Sequence, residues 1–249
     1  MKRPTPPLFL FIVLSLLGLT VARAAAPEIT EAMVQERLGK GQEFAAGGYG
    51  PQAMKEFRWC YDEGMVAVPR LKNLRTTILV GMIKRLSKSY GPAEEAMIKW
   101  RADAEKRLLA GGDDSAAVEF SAWCDALGEE SRLIKTFDKL PAGDPRRRGF
   151  GLPGFTALLG KRRYADAAST MSFEAMARTA DAQIARVPKN AEEDDPTHDL
   201  AVTQLLDFIE VLTGAKDTAH ATEMVTKLKE FDASGTTQRD IEKRLKRAS

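Results

Sequence analysis

The stretch Tyr49-Gly50-Pro51-Gln52-Ala53-Met54-Lys55-Glu56-Phe57-Arg58-Trp59-Cys60 decides the fold class. Glycine readily takes the left-handed conformation that ends a helix, and proline, with φ fixed and no N–H to lose, suits the first turn of the next. Tyr-Gly-Pro therefore reads as the close of one helix and the opening of another. Positions spaced four and then three apart share a helix face, so Ala53, Phe57 and Cys60 form an apolar stripe that needs cover. The arrangement comes back. Tyr90-Gly91-Pro92 follows 41 residues later, and the stripe recurs at a spacing of 40 as Ala93, Met97 and Trp100, then without the Gly-Pro as Leu133, Phe137 and Leu140. One hairpin cannot bury such a stripe, whereas stacked hairpins cover one another. The period predicts an all-α array of stacked antiparallel helix hairpins, an α-solenoid.

Towards the N-terminus, Lys2 and Arg3 precede an apolar run over residues 8–21, and Ala22-Arg23-Ala24 follows with small residues at cleavage spacing. This predicts a secretory signal peptide over residues 1–24 and an exported protein, periplasmic or secreted. The run is shorter than the roughly 20 residues a membrane-spanning helix needs, and no later stretch comes close. Removing Lys2, Arg3 and Arg23 lowers the basic count from 37 to 34 against 35 acidic residues, a net charge of −1. Such a chain offers no global argument for nucleic acid or an anionic membrane.

Towards the C-terminus, residues 31–46 and 51–65 read as a first helix pair, with Thr30 as N-cap, and residues 69–90 and 92–109 as a second. Residues 115–127 and 129–140 make a third, broken at Gly128 and stopped by Pro141. Residues 25–140 thus form a region of three hairpins. Residues 141–154, rich in glycine and arginine, read as a joint to a C-terminal helical region over residues 155–249. That region contains helices at 155–159 and 164–187, an acidic loop at 189–196, helices at 198–213 and 217–231, and a polar helix at 236–246 suited to cap the array. Alternation with period two is missing, so no strands are expected.

At Leu38-Gly39, at Ala53 with Phe57, and at Tyr164, Ala167 and Met171, the chain resembles the tetratricopeptide repeat. The resemblance implies a helix-turn-helix unit stacked into a right-handed superhelix, and a habit of binding peptides or proteins. It carries no catalytic residue. Gly39 and Ala53 stand further apart than in the family pattern, Gln42 replaces the usual aromatic, and the repeat runs near 40 residues rather than 34.

A search for chemistry returns little. Gly149-Phe150-Gly151-Leu152-Pro153-Gly154 matches G-x-G-x-x-G, but Asp144-Pro145 and three arginines precede it where the dinucleotide fingerprint needs a strand. His198 and His220 have no histidine or cysteine at metal-ligand spacing, so no metal, cofactor or catalytic residue is expected. The acidic residues beside His198 fit the start of a helix. Arg146, Arg147 and Arg148, with Lys161, Arg162 and Arg163 nearby, could meet an acidic partner or form a solvated linker. Trp59, Trp100 and Trp123 could line a groove or fill a core. Cys60 and Cys124 could form a disulfide in an exported protein, although Cys60 equally fits the buried stripe.

The expectation is a non-catalytic module binding a protein or peptide partner, with Trp59, Trp100, Arg146, Arg147 and Arg148 as candidate binding residues, no nucleic acid, and no membrane span after cleavage. A structural subunit of an envelope complex and a helical hydrolase using carboxylates from separate helices are the alternatives.

Overall fold

The computed structural model describes residues 28–111, 115–188 and 195–249. The expected signal peptide and the core of the acidic loop lie outside them. Every regular element among the described residues is helical, as the sequence predicts, and none of these helices is long and apolar enough to cross a membrane. In chain order the helices are α1 (Glu31–Ala46), α2 (Gly50–Trp59), α3 (Met65–Ala67), α4 (Lys72–Thr76), α5 (Ile78–Ser87), α6 (Gly91–Leu109), α7 (Ser115–Leu127), α8 (Glu130–Phe137), α9 (Gly151–Gly160), α10 (Tyr164–Thr170), α11 (Phe173–Ile184), α12 (Pro196–Gly214), α13 (Thr218–Phe231) and α14 (Gly235–Ala248). A π-helical turn, Cys60–Gly64, joins α2 to α3, and 3-10 turns occupy Pro69–Leu71 and Pro145–Phe150.

The three stripes are buried at all nine positions. The punctuation works differently from its sequence reading. Pro51 and Pro92 do sit in the first turns of α2 and α6, but the left-handed residue before α2 is Gly48, at φ 77°, and Gly50 is already helical. What requires glycine at 50 is close approach: a Cβ there would lie 2.7 Å from the Tyr90 ring. The two Tyr-Gly-Pro motifs therefore touch, one supplying the notch and the other the ring.

A second regularity is visible only in the backbone. Four helix pairs, α1/α2, α7/α8, α9/α10 and α12/α13, close through the same tight turn. A left-handed residue (Gly48, Gly128, Arg162 or Lys216, φ 57 to 77°) is followed by a residue near φ −90° and ψ 50 to 71° that starts the next helix. That second residue donates its N–H five positions back, a six-to-one bond: Tyr49 to Phe44 O (2.8 Å), Glu129 to Cys124 O (2.8 Å), Arg163 to Leu158 O (3.0 Å) and Asp217 to Leu212 O (2.9 Å). This Schellman bond satisfies a carbonyl at the end of the first helix. The residue five places after each left-handed position, Ala53, Leu133, Ala167 or Ala221, is buried. So short a connection makes each pair antiparallel. Arg162 and Lys216 hold the left-handed conformation at a cost of about 1–2 kcal/mol over glycine, more than the roughly 0.3–1 kcal/mol a cation gains near a helix C-terminus.

Two long helices of the sequence reading are broken. Residues 69–90 divide at Thr77, whose φ and ψ of −119° and −81° are not helical. Residues 164–187 divide at Ser172, whose hydroxyl accepts from Ala175 N and starts α11. The apolar core forms two clusters. One spans Val34 to Trp100 with Trp123 and Ala126, and the other runs from Ala104 to Ile241. Residues 141–154, read as a joint, send Phe150 into the second, edge-on to Phe137 (5.3 Å) and Phe120 (6.0 Å). Helix α7 serves both clusters. A similar notch-and-ring contact joins the later helices, where a Cβ at Gly214 of α12 would meet the Tyr164 ring at 2.2 Å.

Gly50→Ala and Gly214→Ala are therefore expected to cost about 1–3 kcal/mol each through overpacking, while Gly91→Ala, with open space around it, should be neutral or slightly stabilising. Denaturant unfolding of the three variants separates these outcomes.

Candidate binding site

Residues from the π-helical turn, α4, α6 and α7 meet at a buried node. The π-helical turn changes the register after α2, so that adjacent residues Tyr61 and Asp62 both reach inward partners. The Tyr61 hydroxyl donates to Glu119 Oε2 (3.1 Å) and accepts from Trp123 Nε1 (2.8 Å). Asp62 Oδ1 accepts from Trp100 Nε1 at 3.0 Å. The Trp100 and Trp123 rings stack at 5.3 Å, and Tyr61 packs against both. Burial first, and the Glu119 charge second, push the Tyr61 hydroxyl far above the ordinary tyrosine range. It stays protonated and can donate.

Glu119, on α7, is only 2% exposed. Its carboxylate is held by Arg75 from α4 and by Arg107 from α6 (Nη2–Oε2 2.5 Å). Arg75 also donates from Nε to Tyr61 O at 2.8 Å and lies 3.9 Å over the Tyr61 ring. Beside the node opens a cavity of about 270 Å3 lined by Lys72, Asn73, Arg75, Thr76, Val118 and Glu119, together with Ser115. Val118 is 41% exposed there. The cavity thus offers one apolar side chain, hydroxyl and amide groups, and two basic groups on α4, with a rigid ionic floor behind them.

The candidate residues from sequence are dispersed. Trp100 belongs to the node. Trp59 is half-buried elsewhere, under the Arg37 guanidinium at 4.2 Å. Arg146 is tied to Asp144 (2.6 Å) and to Leu108 O (2.7 Å). Arg147 pairs with Asp166 (3.1 Å), donates to Leu140 O (2.6 Å) and covers the Phe137 ring at 4.3 Å. Their acidic partners come from the neighbouring helices and turns of the same chain. Arg148 is exposed and, with Arg147, Ser169 and Ser172, borders a separate cavity of about 300 Å3.

No bridge joins Cys60 and Cys124 in this structure. Cys60 and Cys124 are both buried free thiols, each in a different apolar cluster, and burial raises them to about 11 and about 12 respectively. His198 stacks on Phe231 (5.0 Å) and His220 on Phe173 (3.9 Å). No group of three or more histidine, cysteine or acidic residues able to hold a metal occurs among the described residues.

Sequence reasoning missed Glu119, and with it Glu105 and Glu210. Glu210 is fully buried, contacting the Tyr164 hydroxyl (3.1 Å), Arg244 (2.6 Å) and Arg247 (3.1 Å). Asp207 shares Arg244 at 3.0 Å, and burial raises its carboxyl above the ordinary range. Glu105 receives bonds from Arg132 (2.6 Å) and Thr136 (2.8 Å). A signal was present for two of them, since Glu119 stands between Val118 and Phe120 and Glu210 between Ile209 and Val211, each an acid with apolar residues on both sides. No family model, no curated protein and no solved structure matches the chain.

Glu119→Ala should destabilise the protein by about 3–5 kcal/mol, because it leaves the largely buried Arg75 without its counter-charge; a loss below about 1 kcal/mol in denaturant unfolding would contradict the node's structural role. Burial works to raise the Glu105 carboxyl, but the bonds from Arg132 and Thr136 prevail and leave it below its ordinary value of 4.5. A lowered carboxylate adds stability above its unfolded pKa and loses it as pH falls through the folded value. The Tm gap between wild type and Glu105→Gln is therefore expected to be full at neutral pH and to close on acidification below 4.5.

Proposed function

We propose that the chain is an exported helical-repeat module that binds a peptide segment of another protein, with the cavity between α4 and α7 as its docking point. The observation that carries this reading is the fourfold recurrence of one turn geometry with a buried residue five positions on. It supports a tetratricopeptide-like succession of hairpins, in which each helix pair is a similar unit that covers its neighbour. Arrays of this kind present extended surfaces formed jointly by several helices, and the α4–α7 cavity is such a surface. Its volume suits one or two side chains of an extended partner rather than a large ligand. Val118 supplies apolar contact at its rim, while Lys72 and Arg75 favour a partner with acidic residues beside an apolar one. The rigid Tyr61–Glu119–Arg75 floor keeps the ordering cost of binding low.

Export rests on the leader over residues 1–24, and the mass of the protein recovered from its native cells should correspond to a chain beginning at Ala25. Crosslinking of that mature form in its native envelope, followed by mass spectrometry, should enrich one protein partner over an unrelated exported helical control. Val118→Asp combined with Lys72→Glu should remove that enrichment without lowering Tm. Equal enrichment by wild type and variant would move the site away from this cavity, and no enrichment at all would overturn the binding reading.

A further inference from the structure

Of the four equivalent left-handed turn positions, two carry glycine and two carry cations, Arg162 and Lys216. The turn itself does not ask for them, since Gly48 and Gly128 close it with the same hydrogen bond. The two cationic turns are neighbours. Tyr164, two residues beyond Arg162, lays its ring against Gly214, two residues before Lys216. Arg247, in the last turn of α14, reaches the same place by pairing with Glu210 Oε1, which also accepts from the Tyr164 hydroxyl. Arg247 and Arg162 both act electrostatically on that hydroxyl.

Three separate elements thus bring cations around one tyrosine. The acidic groups nearby are already engaged: Glu210 is held by Arg244 and Arg247, Asp207 by Arg244, and Asp217 by His220 at 2.7 Å. Arg162 and Lys216 are exposed, and no ion pair to either occurs among the described residues.

The geometry points to this surface, the unpaired Arg162 and Lys216 on either side of Tyr164 with Arg247 beside them on Glu210, as a binding site for a flexible polyanion carrying repeated phosphate or sulfate groups. Arginine forks and lysine point charges match such oxyanions, and release of the polymer's counterions drives the association. A protein interface would need an apolar or aromatic anchor at its centre, and stable attachment to a lipid surface needs a second, apolar signal. Among the described residues, no exposed large apolar side chain lies in α9, α10, α13 or α14 or in the turns at Arg162 and Lys216. Tyr164 offers no stacking face to a base, with its ring on Gly214 and its hydroxyl on Glu210. Charge is what is recognised. This inference is independent of the peptide-binding reading.

The test titrates the purified protein with inorganic polyphosphate and with a sulfated polysaccharide over a range of salt concentrations. Wild type and Lys135→Ala, which removes an exposed cation on α8, should bind alike. Arg162→Gly combined with Lys216→Gly should weaken binding roughly tenfold or more at low salt and flatten the slope of log K against log salt by about 1–1.5, two contacts' worth for a single-stranded polyanion. The double variant should keep or raise the unfolding midpoint, because glycine relieves both left-handed residues, so a loss of binding cannot be a loss of fold. Equal binding by wild type and double variant would overturn the assignment. So would the absence of binding to either polymer at low salt, or binding to anionic vesicles in place of the soluble polymers.

Discussion

The six-to-one backbone bond that closes the Schellman turn is the constraint on which this architecture rests. A helix end leaves carbonyls without partners, and in a protein built only of helices every connection must settle that debt locally. Here the same settlement is used at Tyr49, Glu129, Arg163 and Asp217. Because the chain reverses within two residues, the second helix returns along the first with its register set by the turn. The position five residues on is then brought into the core each time. Regular spacing of the turns is not required. They occur at 48, 128, 162 and 216, with other connections between them, yet each produces the same local hairpin.

Apolar stripes alone would leave those hairpins free to slide against one another, since one alanine or leucine fits a neighbouring groove nearly as well as the next. The contacts that remove this freedom are of two kinds. Tyr90 on Gly50 and Tyr164 on Gly214 are ring-into-notch contacts that fit at one position only. The buried carboxylates Glu119, Glu105 and Glu210 act in the same sense through directional bonds to arginines and hydroxyls on other helices. Desolvating such groups offsets most of their attraction, so their net contribution to stability is modest, while a misplaced partner would leave a buried charge unpaired. They therefore penalise the wrong register more than they reward the right one.

Much of this was legible in the residues. Ala53, Phe57 and Cys60 and their two recurrences are buried as their spacing requires, and the proline of each Tyr-Gly-Pro opens a helix. The role of Gly50 was not legible, because its need for a missing Cβ is created by Tyr90, which only folding brings near. The turn repeat was hidden for a related reason: Arg162 and Lys216 occupy a conformation that side-chain chemistry argues against, so no glycine marked them. The break at Ser172 did carry a signal, a serine N-cap three residues before Ala175, inside a stretch otherwise read as one helix. The arginine run was misleading in the opposite way. Asp144, two residues before Arg146, was in view as its partner, whereas only the fold brings Asp166 to Arg147.

The candidate site follows from where the core divides. Helix α7 gives Trp123 to the first apolar cluster and Phe120 and Cys124 to the second, so Glu119 sits on the seam between them. A carboxylate there can be reached from both sides, and Arg75 before it in the chain and Arg107 from the adjoining helix both do so. The π-helical turn carries Tyr61 to them, and its neighbour Asp62 accepts from Trp100 beside the same node. The cavity opens on the Arg75 side of the Glu119 carboxylate, between α4 and α7, where Lys72, Asn73 and Thr76 line it and Arg107 does not. The carboxylate that pairs with both arginines thus also forms part of the cavity wall, which ties the shape of the site to the integrity of the fold.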